Sequence, residues 1–156
     1  HTRFADVTGV QTCVFRSIKE VSKLPVLVKG ILRPDDALLS FKHGADGVII
    51  SNHGGRQLDT ATPTLKQIEP IRKEVGKEKL IIVDGGIRRG TDILKCIALG
   101  ANAVQIGRPI LWGLNYKGQE GVSLVLDILL KEFTETMVLT GCRNLNEITR
   151  DLVREA

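Results

Sequence analysis

The sequence predicts an α/β fold with parallel strands, and two observations carry that reading. Four short apolar runs, near 26–30, 47–51, 81–85 and 103–107, are rich in Val and Ile without strict alternation. Strands buried on both faces, as parallel strands covered by helices are, read this way, whereas half-solvated strands alternate. Helical segments separate the runs, so the order is β-α-β-α-β-α-β. The second observation is an internal duplication. The stretch VLVKGILRPDDALLSFKHGADGVIIS (26–51) aligns with IIVDGGIRRGTDILKCIALGANAVQIG (81–107) once one extra glycine, Gly86, is admitted. Asp36 then falls on Asp92, Gly44-Ala45 on Gly100-Ala101, and Val48 on Val104. Two topologies fit this order, an open doubly wound sheet and a (β/α)8 barrel. A complete barrel needs roughly 250 residues, so 156 residues would make about half of one.

The elements follow in order. Residues 1–25 contribute a helix at 15–23 and no convincing strand. In the next helix Pro34 suits the first position, while Asp35 and Asp36 complement the positive N-terminal end. Gly44 fits its C-terminal cap, and His43 is read as a last-turn cation. A third helix covers about 64–75. In the second copy Thr91 is the expected N-cap and Gly100 the stop. A long helix near 119–138 follows, with Val122, Val125, Leu126, Leu129, Phe133 and Met137 along its apolar stripe. The whole chain, 1–156, is read as one domain.

Composition narrows the function classes. Net charge is +4 with a pI near 9.1, and aromatic residues make up only 4%. That is too little clustered base and too few stacking rings for a nucleic-acid platform, so no nucleic-acid partner is expected. Local anion binding accounts better for the surplus arginines. Cys13, Cys96 and Cys142 are odd in number and lack CxxC spacing. They indicate no metal site and no disulfide framework, and they suit a reducing compartment. Cys96 reads as a buried, inert thiol. No apolar stretch approaches the roughly 18 residues of a membrane span, and the N-terminus has no signal-peptide pattern. A soluble protein without a membrane partner is expected.

Ligands of α/β folds sit beyond the carboxyl ends of the strands. The four ends here are Lys29-Gly30, Ser51-Asn52-His53-Gly54-Gly55-Arg56, Asp84-Gly85-Gly86-Ile87-Arg88 and Gly107-Arg108-Pro109. Each sets a charged or titratable residue beside a glycine. In the last two, glycine lets the backbone approach an anion, and Arg88 and Arg108 can donate bidentately to phosphate. Tight turns with solvated arginines would leave the same pattern. Lys29 is either a solvated strand-end lysine or a fixed cation beside a ligand that gains negative charge. His53 can take a proton near neutral pH, and Arg56, across a Gly-Gly turn, can grip a carboxylate. Together they describe a site for an acid with a removable proton near its carboxylate. Asp46 and Asp59 read as ordinary turn residues, and Trp112 and Tyr116 as packing groups rather than stacking ones.

These residues resemble a known family. SNHGGRQLD, with LPVLVKGI upstream and VDGGIRRGTDILKCIALGANAVQIGRP downstream, is similar to the FMN-dependent 2-hydroxy acid oxidases and dehydrogenases. The likeness runs from about Leu24 through ILWGL, KGQEGV and LTGCRNLNEI, and residues 1–23 match poorly. The later stretches look most like the glycolate and long-chain hydroxy acid oxidases. The resemblance implies a (β/α)8 TIM barrel of the FMN-linked oxidoreductase type, of which this chain covers about the C-terminal half, strands five to eight.

The resemblance also implies roles. The cofactor would be FMN and the substrate a small 2-hydroxy acid, oxidised to a 2-oxo acid. Electrons would pass to the flavin and then to oxygen or another acceptor. His53 would be the base and contact substrate, and Arg56 would bind the substrate carboxylate. Lys29 would sit by the flavin ring edge that becomes negative, Ser51 would bond the ring, and Asp84 the ribityl chain. Gly86, Arg88, Gly107 and Arg108 would hold the FMN phosphate, and Gly85 would be a further cofactor-binding residue. Family groups from the N-terminal half, including the aspartate that orients the histidine, have no counterpart here. A peroxisomal or cytoplasmic homo-oligomer is expected. Two other readings remain open: another FMN or nucleotide barrel of the inosine monophosphate dehydrogenase kind, and an inert half-barrel that binds FMN or phosphate and assembles with a complement or with itself.

Overall fold

A computed structural model describes residues 17–154. Residues 17–22 are helical, in keeping with the helix expected at 15–23, whose first two positions lie outside the described residues, as does Cys13. Four strands follow, β1 (Leu27–Ile31), β2 (Gly47–Ile50), β3 (Leu80–Val83) and β4 (Ala103–Val104). They alternate with α1 (Pro34–Lys42), α2 (Ile68–Val75, led in by a 3₁₀ turn, Thr64–Gln67) and α3 (Gly90–Ala98), and α4 (Arg108–Leu139) closes the series. The strands are parallel and ordered β1-β2-β3-β4.

That order decides between the two topologies. Each crossover advances one place in the same direction, and right-handed crossovers then lay every helix on one face. A doubly wound sheet reverses direction partway. The arrangement is an arc of a (β/α)8 barrel.

Register sorts the side chains between the two faces. Val28, Val48 and Ile81 are partners across the sheet, and with Ile50 and Val83 they pack against Ala37, Ile68, Ile71, Cys96 and Leu99. The alternate row, Lys29, Ile49, Ile82 and Ala103, lies on the opposite face, the inner side of the arc. A smaller cluster of Leu94, Ala98, Cys142 and Ile148 joins α3 to Phe133 and Met137 of α4.

The duplication reappears as repeated hydrogen bonds. Ala45 N–H donates to Ser40 O and Gly44 N–H to Phe41 O, as Ala101 does to Cys96 and Gly100 to Ile97. Both helices therefore end in the same Schellman pattern, as the glycines predict. At the other end of each unit, Asp46 Oδ2 accepts from Val26 N–H at 2.8 Å, and Asn102 Oδ1 accepts from Ile81 N–H, also at 2.8 Å. Asp46 is thus a clasp rather than an ordinary turn residue. Arg72 binds the units further, donating to Gly100 O, Gly76 O, Lys79 O and Asn102 Oδ1 at 2.7–2.8 Å.

Three local expectations change. The α3 helix starts at Gly90, so Thr91 is not its cap. The Asp92 carboxylate accepts from Arg88 and Arg89 N–H instead, and Glu132 of α4 accepts from Gly90 N–H at 2.8 Å. A tertiary carboxylate takes the place of a local hydroxyl. The long helix begins eleven residues early, at Arg108, and breaks at Lys117 and Gly118. Gly113 and Gly121 meet across the break, closely enough that a Cβ on Gly121 would lie 1.9 Å from Gly113 O. Leu126, expected on the buried stripe, is 48% exposed, whereas Leu129 is buried. Among the described residues no helix is long and apolar enough to cross a membrane.

Candidate active site at the strand ends

A cleft of about 870 Å³ opens beyond the strand ends, and nine of the ten residues singled out from the sequence line it. The tenth, Ser51, is fully buried behind its wall. Its Oγ accepts from Lys29 Nζ at 2.8 Å and from His53 N–H at 3.1 Å. Lys29 also pairs with Asp84 Oδ2 at 2.5 Å. The ammonium is therefore held from two sides while 41% of its side chain stays open to the cleft. A cation fixed this way needs no reorganisation when negative charge develops beside it.

The stretch after β2 is a left-handed turn. His53, Gly54 and Gly55 all have positive φ, at 56°, 69° and 74°. Glycine takes this conformation freely, whereas a residue with a Cβ resists it. That contrast explains the Gly-Gly pair and makes His53 the strained member. The turn is braced on several sides. Asn52 Oδ1 accepts from Gly54 N–H at 3.1 Å, and Gly54 O accepts from Arg108 Nη2 at 3.3 Å. His53 and Arg56 both reach the cleft from it.

The wall formed by the turns after β3 and β4 suits an anion. Asp84 Oδ1 is buried with no hydrogen-bond partner, an acceptor awaiting a donor. A Cβ at Gly86 or Gly107 would meet nothing within 4 Å, so the backbone there faces open space. Among the described residues the N–H groups of Gly86, Ile87, Gly107 and Arg108 donate to no protein acceptor. Arg88 and Arg108 flank them. Free N–H groups between two guanidiniums make a concave anion seat. Arg88 is itself held, with Nη1 donating to Ile87 O at 2.8 Å and its guanidinium 5.1 Å from the Trp112 ring centroid. Trp112 is 58% exposed, so it carries a stacked cation, contrary to the packing role expected of it. A phosphate ester with a polyhydroxy chain has the donors and acceptors this wall lacks.

The family model for FMN-dependent dehydrogenases matches residues 8–155. This chain belongs to the FMN-dependent dehydrogenase family. It is 52% identical over 136 residues to a 2-hydroxyacid oxidase of Dictyostelium discoideum, covering 87% of this chain and 35% of that relative. It is 50% identical over 137 residues to the peroxisomal (S)-2-hydroxyacid oxidase GLO3 of Arabidopsis thaliana, covering 88% and 38%. A crystal structure of mandelate oxidase superposes with a TM-score of 0.79 at 46% identity, over 81% of this chain and 37% of that one. The chain thus spans little more than a third of the length of the curated relatives it matches. The family match starts well upstream of Leu24, where the motif likeness begins.

Two residues of this FMN-dependent dehydrogenase chain were not singled out from its sequence. Asn52 caps the left-handed turn and also donates to Thr62 O at 3.4 Å. Gly30 forms a bulge where the β1–β2 register shifts, and the His53 ring lies against it. An asparagine following a strand and preceding His-Gly-Gly was the available signal for the first. The strand-end Lys29-Gly30 pair marks the second, but not the distant ring that rests on it. Away from the cleft, burial pushes the Cys96 thiol up to about 12, as an inert cysteine requires.

Proposed function

We propose that the parent protein oxidises a 2-hydroxy acid to a 2-oxo acid with FMN bound in this cleft. The observation that carries the reading is one shared cleft, lined by a histidine and an arginine, by a fixed lysine and by a phosphate-type anion seat. FMN, when bound, would supply the acceptor for two electrons and one of the two hydrogens that leave the carbinol. The orphaned Asp84 Oδ1 suits a ribityl hydroxyl, and the N–H groups near Gly86 and Gly107, with Arg88 and Arg108, suit the phosphate. Gly85 completes the wall between them.

Arg56 grips the substrate carboxylate and so orients the C2 carbinol toward His53. An imidazole nitrogen of His53 takes the proton released as that carbinol becomes a carbonyl. Lys29, held by Ser51 and Asp84, offers positive charge where negative charge gathers. Ser51, with both lone pairs engaged, acts by placing Lys29 and His53.

Oxygen as the final acceptor is supported by the oxidase names of the relatives. The Arabidopsis relative's name supports a peroxisomal location, with the cytosol as the alternative. Titration of the purified full-length protein with FMN, followed by a substrate panel, tests the reading. Stoichiometric quenching of flavin fluorescence and turnover of glycolate, longer 2-hydroxy acids or mandelate are expected. Absence of bound FMN, or turnover of nucleotides alone, contradicts it.

A further inference from the structure

We infer that Gly30 is a positioning residue for His53, a role that rests on the reading of His53 as the base. Three observations meet at this glycine. First, it is the extra residue of the β1–β2 ladder, since Lys29 pairs with Ile49 and Ile31 with Ile50. Second, its φ is 98°, a conformation that side-chain-bearing residues avoid. Third, a Cβ built on it would lie 2.8 Å from His53 Cε1, with Nε2 and Nδ1 at 3.7 and 3.8 Å. The imidazole therefore rests with its Cε1 edge on a bare Cα, and both ring nitrogens are left to the sides.

The bulge sets two groups at once. It ends the regular ladder directly after Lys29, whose Nζ turns to Ser51 and Asp84. It also opens the shelf on which the ring of a residue more than twenty positions later is seated. His53 is held at its backbone by Ser51 Oγ and, one residue on, by Asn52 Oδ1. Those bonds fix where the side chain starts, and Gly30 fixes where it ends. A methyl group there pushes the ring off the shelf. Because the ring can swing, the displacement costs little stability but misplaces the proton acceptor. Misplacement on the ångström scale costs about 10²-fold in rate.

The test is Gly30→Ala in the full-length, FMN-loaded protein, beside Gly44→Ala as a control for backbone strain. Gly44 has nearly the same φ, 92°, but a Cβ there meets nothing within 4 Å. Both variants should melt at similarly lowered temperatures. Gly30→Ala alone should lose kcat, by about 10–100-fold, with KM changed little. A crystal structure of Gly30→Ala should show the imidazole displaced. In a His53→Ala background Gly30→Ala should slow the residual rate no further, since the group it misplaces is gone. An unchanged kcat, an equal loss in Gly44→Ala, or an undiminished loss in the His53→Ala background overturns the inference. If Gly30→Ala fails to fold where Gly44→Ala folds, the double variant decides. Recovery of folding in Gly30→Ala/His53→Ala supports the contact, and no recovery overturns it. The two readings fail separately: normal turnover by His53→Ala removes the base, while an undisplaced ring in the Gly30→Ala crystal removes the shelf.

Discussion

Lys29 Nζ stands 2.5 Å from Asp84 Oδ2 and so ties together the ends of β1 and β3, two strands that never pair. The same carboxylate keeps Oδ1 buried and unpartnered. One residue therefore has one oxygen spent on the lysine and the other free for a ligand.

Asp84→Asn should accordingly weaken FMN binding by about tenfold, and Asp84→Ala by up to about 100-fold. A hydrogen bond to a charged group is worth about 1.5–3 kcal/mol. The asparagine keeps an acceptor but loses the charge that holds Lys29. Fluorescence-quenching titrations of the three proteins would read the order directly.

Trp112→Ala should lower FMN affinity by a smaller factor, about two- to fivefold. An exposed cation–π contact contributes about 0.5–1 kcal/mol, and Arg88 keeps its bond to Ile87 O without it. Inorganic phosphate should compete with FMN less well in the variant than in the parent. Equal affinities would mean that Trp112 does not present Arg88 to the cleft.

The Asp46 clasp makes a prediction about pH. The Lys19 ammonium, 2.6 Å away, and then the Val26 N–H hold Asp46 below the usual carboxylate range. A folded pKa depressed in this way contributes stability above the unfolded value, near 3.9, which fades as pH falls through the folded one. Asn102 shows that an amide can make the same backbone bond. Asp46→Asn should therefore cost less than Asp46→Ala, which loses about 1 kcal/mol in urea melts at neutral pH. The acid-dependent part of the loss should vanish in both variants.

Cys96 should resist iodoacetamide at pH 8 in the folded protein and react once urea unfolds it. Its thiol is buried and titrates near 12, so the reactive thiolate is absent at that pH. Peptide mapping of the labelled protein reads this residue apart from Cys142. Rapid native-state labelling of Cys96 would show that the packing between α3 and the sheet is looser than described.

The strand-and-helix order was legible in the sequence because buried parallel strands and Gly-terminated helices leave local marks. The aligned glycines at 44 and 100 end their helices with identical bonds. The gathering of the candidate residues was legible too, since strand ends collect charged residues beside glycines, and nine of the ten share one cleft. What escaped depends on contacts distant in sequence. Glu132 caps α3 from 42 residues away, so Thr91 looked like the cap. Trp112 takes a guanidinium from the turn after β3, and Gly30 carries a ring from the turn after β2. No periodicity or turn rule reports a partner of that kind.

The most direct test of the central claim is anaerobic reduction of bound FMN by a 2-hydroxy acid, followed by flavin absorbance in the full-length protein and its His53→Ala variant. With FMN content equal in both, the variant should bleach about 10²- to 10⁴-fold more slowly, the contribution of a positioned general base. Bleaching at the parent's rate would contradict the account.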